Sequence, residues 1–166
     1  MPYQNDDEFM AYVGHLIEKP SVQRLKGIPH HLHSNRLEHS INVSYTSYKI
    51  AKKLGWNKRS TARGALLHDL FYYDWRVTKF KKSHAWVHPR LAVRNARKLT
   101  KLTKLNKVEE DIIIKHMWGL TIAPPRYKEA YIVTLVDKYW AIKEATSPWR
   151  QKIRNRKLFH RKMLKN

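Results

Sequence analysis

Residues 64–75, with the sequence GALLHDLFYYDW, constrain the fold most, because they place an adjacent His68–Asp69 pair inside an otherwise apolar run. A buried carboxylate without a partner is so unfavourable that it normally pairs with a cation, takes up a proton or binds a metal. The neighbouring imidazole favours a metal site. The alternative is that the pair only ends a helix at the surface.

Apolar residues recur at helical spacing along most of the chain, and signals for β-hairpins are almost absent. We therefore predict an all-α bundle of about six to seven helices. The patterns and capping signals place helices at residues 6–18 with Pro20 ending the helix, from a Ser34 N-cap to Gly55, from 58 to 70, from near Pro89, and from an Asn106 N-cap supported by Glu109. A final helix is expected to pack inward through Ile132, Leu135, Val136 and Tyr139.

Composition limits the domain organisation and the chemistry. Hydrophobic residues make up 42% of the 166 residues, which predicts one domain over residues 1–166 with its core at about 35–145 and a basic segment at 146–166. Cysteine is absent, so any metal must be held by nitrogen and oxygen ligands. No apolar run is long enough to span a bilayer and the N-terminus does not resemble a signal peptide, so we expect a cytoplasmic protein.

Other histidines and one aspartate are candidate partners for the His68–Asp69 pair. His39 falls on an inward or partly inward face near the start of its helix, and Asp137 interrupts an apolar helix, where a carboxylate calls for a cation. The alternatives are an ordinary buried histidine and a surface aspartate beside a lysine. The histidines in residues 27–33 have no carboxylate beside them, and we interpret that segment as a solvated loop.

The charge distribution points to an anionic partner. Thirty-four lysines and arginines against 13 acids give a net charge of +21, and residues 76–107 contain 11 basic residues and no acid. Such a field attracts nucleotides, nucleic acid or acidic surfaces without distinguishing among them. A solvated helix face is the alternative for the basic stripe that follows Pro89.

The motifs LEHS, GALLHD, HPRLA, IIKHMWGLT and IVTLVDKYW occur in this order within about residues 35–145. In this order they resemble the HD-domain superfamily of metal-dependent phosphohydrolases, whose namesake is the adjacent His-Asp pair. Members with the two additional histidines look like dinuclear nucleotide hydrolases, including enzymes that cleave diadenosine tetraphosphate. The resemblance implies one ion held by His39, His68, Asp69 and Asp137, with Asp69 bridging to a second ion held by His88 and His116.

Such ligands suit one or two divalent transition ions, Fe, Mn, Ni, Co or Zn, better than Mg or Ca. A bound ion of this kind can activate water for attack on a phosphate ester or anhydride, and we assign that catalytic chemistry to the His68–Asp69 pair. His84 is a candidate proton donor to the leaving group, with an ordinary surface histidine as the alternative. Asp74 could orient a ligand or a water, or could make only an N-cap or loop hydrogen bond.

The basic segment between the predicted ligands supplies candidates for binding an anionic small-molecule substrate, which we expect to be a nucleotide. These candidates are Arg76, Lys79, Lys81, Lys82 and Arg90. The competing hypothesis is a basic nucleic-acid-binding or regulatory protein on the same scaffold, in which tryptophans and tyrosines stack on bases.

Overall fold

The computed structural model describes residues 2–29, 34–101 and 104–146, and these ranges contain α-helices and no β-strand. The all-α prediction is confirmed. No helix in the described ranges is both long and apolar enough to cross a membrane. The helices are α1 (Asp7–Ile17), α2 (Pro20–Gln23), α3 (Arg36–Lys53), α4 (Lys58–Leu67), α5 (His84–Leu99), α6 (Lys107–Lys115) and α7 (Lys128–Ala145), with 3₁₀ helices at Pro2–Asn5 and Arg24–Gly27.

Helix α4 occupies the centre of the fold. Residues 60–67 are all buried, and α4 packs against α3 and α6. Gly64 permits the close approach of α6, because a Cβ atom at this position would lie 2.9 Å from Cδ1 of Ile112. The helix therefore delivers the His68–Asp69 pair, which follows Leu67 directly, into the interior of the protein.

Two apolar clusters form the core on either side of α4. One joins Phe9 and Leu37 to Leu66, while the other joins Ala65 to Val133 of α7. The prediction that α7 packs inward through Leu135 and Tyr139 is wrong, since these side chains are 66% and 55% exposed. Helix α7 is apolar on more than one face, so periodicity alone did not identify the face that packs; the inward face includes Ile132 and Val136, as predicted, together with Ala130 and Val133.

The start of α3 differs from the prediction. Asn35, rather than Ser34, is the N-cap, because its Oδ1 accepts a hydrogen bond from the backbone N–H of Glu38 at 2.9 Å. The Ser34 hydroxyl instead donates to Glu144 at 2.6 Å, a contact that no local pattern reveals. The other end agrees with the prediction, since Gly55 follows the last turn with a φ of +67°.

Helix α5 begins at His84 and not near Pro89, which lies inside the helix. The first turn forms upstream of the proline because the carbonyl of Ser83 accepts hydrogen bonds from the N–H groups of Trp86 and Val87. The missing N–H of Pro89 removes only one helical hydrogen bond, to the carbonyl of Ala85.

Other boundaries shift by a few residues. Helix α1 ends at Ile17, and Pro20 opens α2 at its first position. Helix α4 ends at Leu67 and not at residue 70. The predicted Asn106 capping box is confirmed, with Glu109 accepting from the N-cap N–H in return. Most of the predicted histidine loop, residues 30–33, and residues 147–166 of the basic C-terminal segment lie outside the described residues.

A buried ion pair links the central helix to α6. Nε of Arg63 donates to Oε1 of Glu109 at 2.6 Å, and each side chain is only 1% exposed. Since Glu109 also belongs to the capping box, it stabilises both the helix start and the packing of α6 on α4.

We expect Glu109→Ala to lower the free energy of unfolding by about 3–5 kcal/mol, because it removes the carboxylate that neutralises the buried Arg63 guanidinium. Urea denaturation measures this change. Glu110→Ala is the matched control, since Glu110 pairs with the exposed Arg97 and should contribute no more than about 1 kcal/mol. Equal effects of the two substitutions would contradict the prediction.

Candidate metal centre

The six residues predicted as metal ligands meet in one place at the end of α4. Helix α3 contributes His39, α5 contributes His88, α7 contributes Asp137, and His116 follows the last residue of α6. Potential ligand atoms lie within 4.8 Å of one another in two groups. The groups are His39, His68 and Asp137, and His68, Asp69 and His116.

His39 is fully buried between two carboxylates of α7. Its Nε2 lies 3.0 Å from Oδ1 of Asp137, and its Nδ1 lies 3.1 Å from Oε1 of Glu144. Although burial favours the neutral ring, the hydrogen bonds with both carboxylates raise the pKa of His39 to about 10. Burial also opposes ionisation of Asp137, but the hydrogen bond with His39 and the nearby His68 ring, whose Nε2 lies 3.5 Å from Oδ1 of Asp137, hold the pKa of that carboxyl well below its usual value.

The other three ligand histidines are each oriented by a backbone carbonyl. Nδ1 of His68 lies 2.6 Å from the carbonyl oxygen of Ala65. Nδ1 of His88 lies 2.9 Å from that of His84, and Nδ1 of His116 lies 2.9 Å from that of Ile113. Since a carbonyl can only accept, Nδ1 carries the proton in each ring. In its neutral form each of these imidazoles therefore presents the lone pair of Nε2, which is the form that binds a metal.

These lone pairs converge on Asp69. Nε2 of His88 lies 2.7 Å from Nε2 of His116, and Oδ1 of Asp69 lies 3.5 Å and 3.7 Å from these two atoms. Oδ2 of Asp69 lies on the side of His68, 3.9 Å from its Nε2. The two carboxylate oxygens of Asp69 thus face different histidines: Oδ2 faces His68, and Oδ1 faces His88 and His116.

The donor set fits a divalent transition ion. Nε2 of His68 is buried without a hydrogen-bond partner among the described residues, and two neutral rings cannot hydrogen-bond through facing Nε2 lone pairs. A cation in contact with these atoms would satisfy all of them. The mixture of imidazole nitrogen and carboxylate oxygen is typical of sites for Mn, Fe, Co, Ni or Zn.

The local electrostatics keep two of these imidazoles neutral. Burial and the neighbouring His88 and His68 lower the pKa of His116 to about 3, and burial also lowers the pKa of His88. Both rings are therefore in the ligand form at neutral pH.

A buried cation holds the segment that follows Asp69. The guanidinium of Arg36 donates to the carbonyls of Phe71, at 2.7 Å, and Tyr73, at 3.3 Å, and lies 3.7 Å from the centre of the Phe71 ring. These contacts fix the chain just beyond the His68–Asp69 pair. The sequence analysis did not single out Arg36, since an arginine in the first turn of a helix ordinarily points to solvent.

Four of the six candidate ligands line a cavity of about 340 Å³, which lies next to the site. Its wall is largely apolar, and Lys138 is the only lysine or arginine among the described lining residues. The cavity is lined by Asp69, Phe71, Trp75, His84, His88, His116, Met117, Leu120, Asp137, Lys138 and Ala141.

His84 lies in this cavity, stacked between other rings. Its ring centre is 4.3 Å from that of His88 and 5.6 Å from that of Trp75, and Nδ1 forms a 3.0 Å hydrogen bond with the Tyr73 hydroxyl. Burial and His88 lower the pKa of His84 to about 4, so the ring is neutral at pH 7. A neutral imidazole can still donate one hydrogen bond to a ligand.

The other predicted residues do not line this cavity. Asp74 accepts hydrogen bonds from the backbone N–H and the guanidinium of Arg76, which matches the loop hydrogen bond considered as its alternative role. The remaining predicted substrate-binding residues are exposed. These are Lys79, Lys81, Lys82 and Arg90.

Two residues of α7 were missed by the sequence analysis. Glu144 lies seven residues after Asp137, two helical turns on the same face, and this spacing was a usable signal. Lys138 follows Asp137 directly and donates to the carbonyl of Trp118 at 2.9 Å. Its place in the cavity depends on the turn after α6, whose position the sequence does not reveal.

Comparison with known proteins identifies the family of this chain. A family model described as HD domain matches residues 36–142, which include all six candidate ligands. The chain therefore belongs to the HD-domain family, a superfamily whose members are generally metal-dependent hydrolases. Searches of curated proteins and of solved structures gave no match.

We expect Glu144→Gln to weaken metal binding about 10- to 100-fold, because the Nδ1 proton of His39 loses its carboxylate partner. Metal affinity, measured by competition with a chromophoric chelator, tests this directly. Glu129→Gln is a matched control, since Glu129 is a buried glutamate of α7 that accepts from the Asn57 N–H away from the ligands. Equal metal affinity in wild type and Glu144→Gln would contradict the expectation.

Proposed function

We propose that this protein is a metal-dependent phosphohydrolase that cleaves a phosphate ester or anhydride of a nucleotide or a related compound. The observation that carries the proposal is the convergence of Nε2 lone pairs from His68, His88 and His116 around Asp69. These buried nitrogen atoms can be satisfied by a cation. Family membership supports the same class of reaction.

In the proposed arrangement, His39, His68, Asp69 and Asp137 would hold one divalent ion, and Asp69, His88 and His116 would hold a second. The two oxygens of Asp69 face these two groups. When bound, such ions lower the pKa of water and neutralise charge on phosphoryl oxygens. Since water then serves as the nucleophile, no serine or cysteine nucleophile is needed.

The remaining cavity residues position the substrate. Lys138 lines the cavity, and its ammonium group, which donates to the Trp118 carbonyl, is suited to contact a phosphoryl oxygen at the cavity wall. Phe71 and Trp75 offer aromatic surfaces for the organic part of the substrate, which is why a nucleotide is the favoured ligand. These apolar walls also reduce access of bulk water and strengthen the polar contacts inside.

We assign His84 to the leaving-group side of the site. Its neutral ring can donate a hydrogen bond to the departing oxygen, and Tyr73 fixes the orientation of the ring. This refines the predicted role of proton donor, because imidazolium is scarce at pH 7 in a residue with a pKa of about 4.

The strongly basic composition favours a second candidate, binding of nucleic acid. Metal analysis and a phosphatase screen with Mn, Fe, Co, Ni and Zn separate the two candidates when combined with the salt dependence of RNA binding. A steep salt slope in a protein without stoichiometric metal and without hydrolase activity would favour nucleic-acid binding.

We expect His68→Ala to lose stoichiometric metal and to lower phosphatase activity by at least about a thousandfold, because His68 belongs to both groups of potential ligands. Elemental analysis and steady-state assays measure these losses. His15→Ala is the control, since His15 is exposed on α1. Circular dichroism checks folding, and Asp69→Asn provides a second variant if His68→Ala unfolds. Retention of metal and activity by both site variants would refute the proposed phosphohydrolase function.

We expect Lys138→Met to raise KM for phosphate substrates about tenfold, because it removes a charged hydrogen bond to the phosphoryl group. Lys143→Met, on the same helix, is the control, since Lys143 lies over Trp140 and does not line the cavity. Steady-state kinetics at saturating metal distinguish the two. An unchanged KM in Lys138→Met would exclude this lysine from substrate binding.

A further inference from the structure

A second cavity adjoins the metal centre. It has a volume of about 350 Å³ and lies between α5, the end of α6 and the following turn. Leu120 lines both cavities, so the two cavities are adjacent at this side chain. We call the second cavity the basic groove and define it by Trp86, Arg90, Ile114, Lys115, Leu120 and Thr121.

The groove is cationic and contains no acid among its described lining residues. Its two charged members, Arg90 and Lys115, form no ion pair with a carboxylate within the described ranges. The apolar walls formed by Ile114 and Leu120 lower the local dielectric and strengthen attraction for an anion.

The arginine is held in place before any ligand binds. Its guanidinium lies 3.5 Å from the centre of the Trp86 ring, and Nη1 donates to the Trp86 carbonyl at 2.7 Å. The ammonium group of Lys82 lies 3.7 Å from the centre of the same ring. Because Arg90 is already ordered, it loses less conformational entropy on binding a phosphate than a free surface side chain would.

The chain connects the groove to the metal centre at two points. Lys115 immediately precedes the ligand His116, and Arg90 lies two residues after the ligand His88. A molecule with one phosphate at the metals can therefore extend past Leu120 and present a second anionic group to Arg90 and Lys115.

Resting on the proposed phosphohydrolase function, we infer that the basic groove binds a second phosphate group of the substrate. The substrates favoured by this protein are then compounds with two separated phosphate groups, and simple phosphate monoesters fill only the metal cavity. Arg90 supplies a planar donor fork for the second phosphate, and Lys115 supplies a point charge.

The test uses non-hydrolysable ligands with the metal-loaded full chain. A series of α,ω-alkanediphosphonates of increasing length is compared with alkylmonophosphonates of the same lengths by isothermal titration calorimetry at physiological salt. We expect the ratio of diphosphonate to monophosphonate affinity to peak at one chain length. At that length Arg90→Gln/Lys115→Gln should lower the ratio by about tenfold or more.

The control must remove the same charge elsewhere, because a protein of net charge +21 attracts any additional anionic group. Lys98→Gln/Lys101→Gln removes two exposed cations at the end of α5 and just beyond it, outside the groove. This control should retain both the ratio and its optimum length.

A ratio without a length optimum, or an equal fall in both double variants, would overturn the inference. Metal content and monophosphonate binding in the same samples separate the two proposals. If the samples contain metal and bind monophosphonate, but the groove variants have no specific effect, only the groove proposal fails. If wild type binds neither metal nor monophosphonate, the phosphohydrolase proposal fails and the groove proposal with it.

Discussion

Burial of the His68–Asp69 pair at the end of α4 is the constraint on which the rest of this structure depends. His68 and Asp69 enter the interior because α4 is surrounded by other helices, and buried polar atoms require partners. Helices α3, α5 and α7 and the end of α6 each bring a further imidazole or carboxylate to the same place. A bound cation would satisfy the lone pairs that meet there.

The surrounding contacts keep these donors in position. Backbone carbonyls orient the rings of His68, His88 and His116, while Glu144 does the same for His39 and is itself anchored by Ser34. The last turns of α4 and α6 supply carbonyls that have no partner within the helix, so His68 and His116 are oriented without an additional side chain. His39 lies in the first turn of α3, where free carbonyls are absent, and the Glu144 carboxylate orients its ring instead.

The distribution of charge separates the interior from the surface. Several of the 13 acids are turned inward, where Glu109 pairs with Arg63, Glu144 contacts His39, and Asp69 and Asp137 face the metal centre. Most lysines and arginines of the described residues are exposed. Their excess can raise the local concentration of anionic substrates around the cavity, whatever their individual contacts are.

The helical fold, the capping box at Asn106 and the inward position of His39 were predictable from sequence, because each depends on local periodicity or on neighbours within one helical turn. The HD-family motifs also indicated the six candidate ligands. Local patterns could not choose between the two apolar faces of α7, so Leu135 was placed inside although it is exposed.

Only the tertiary structure decided which side chains meet across long separations in the chain. Ser34 and Glu144 are brought together by the packing of α3 on α7, and Lys138 enters the cavity through its bond to Trp118. The groove between Arg90 and Lys115 likewise depends on how α5 and α6 pack. The sequence by itself determined the residue types and helical faces available for the site, whereas their distances followed from how whole helices bury their apolar surfaces against one another.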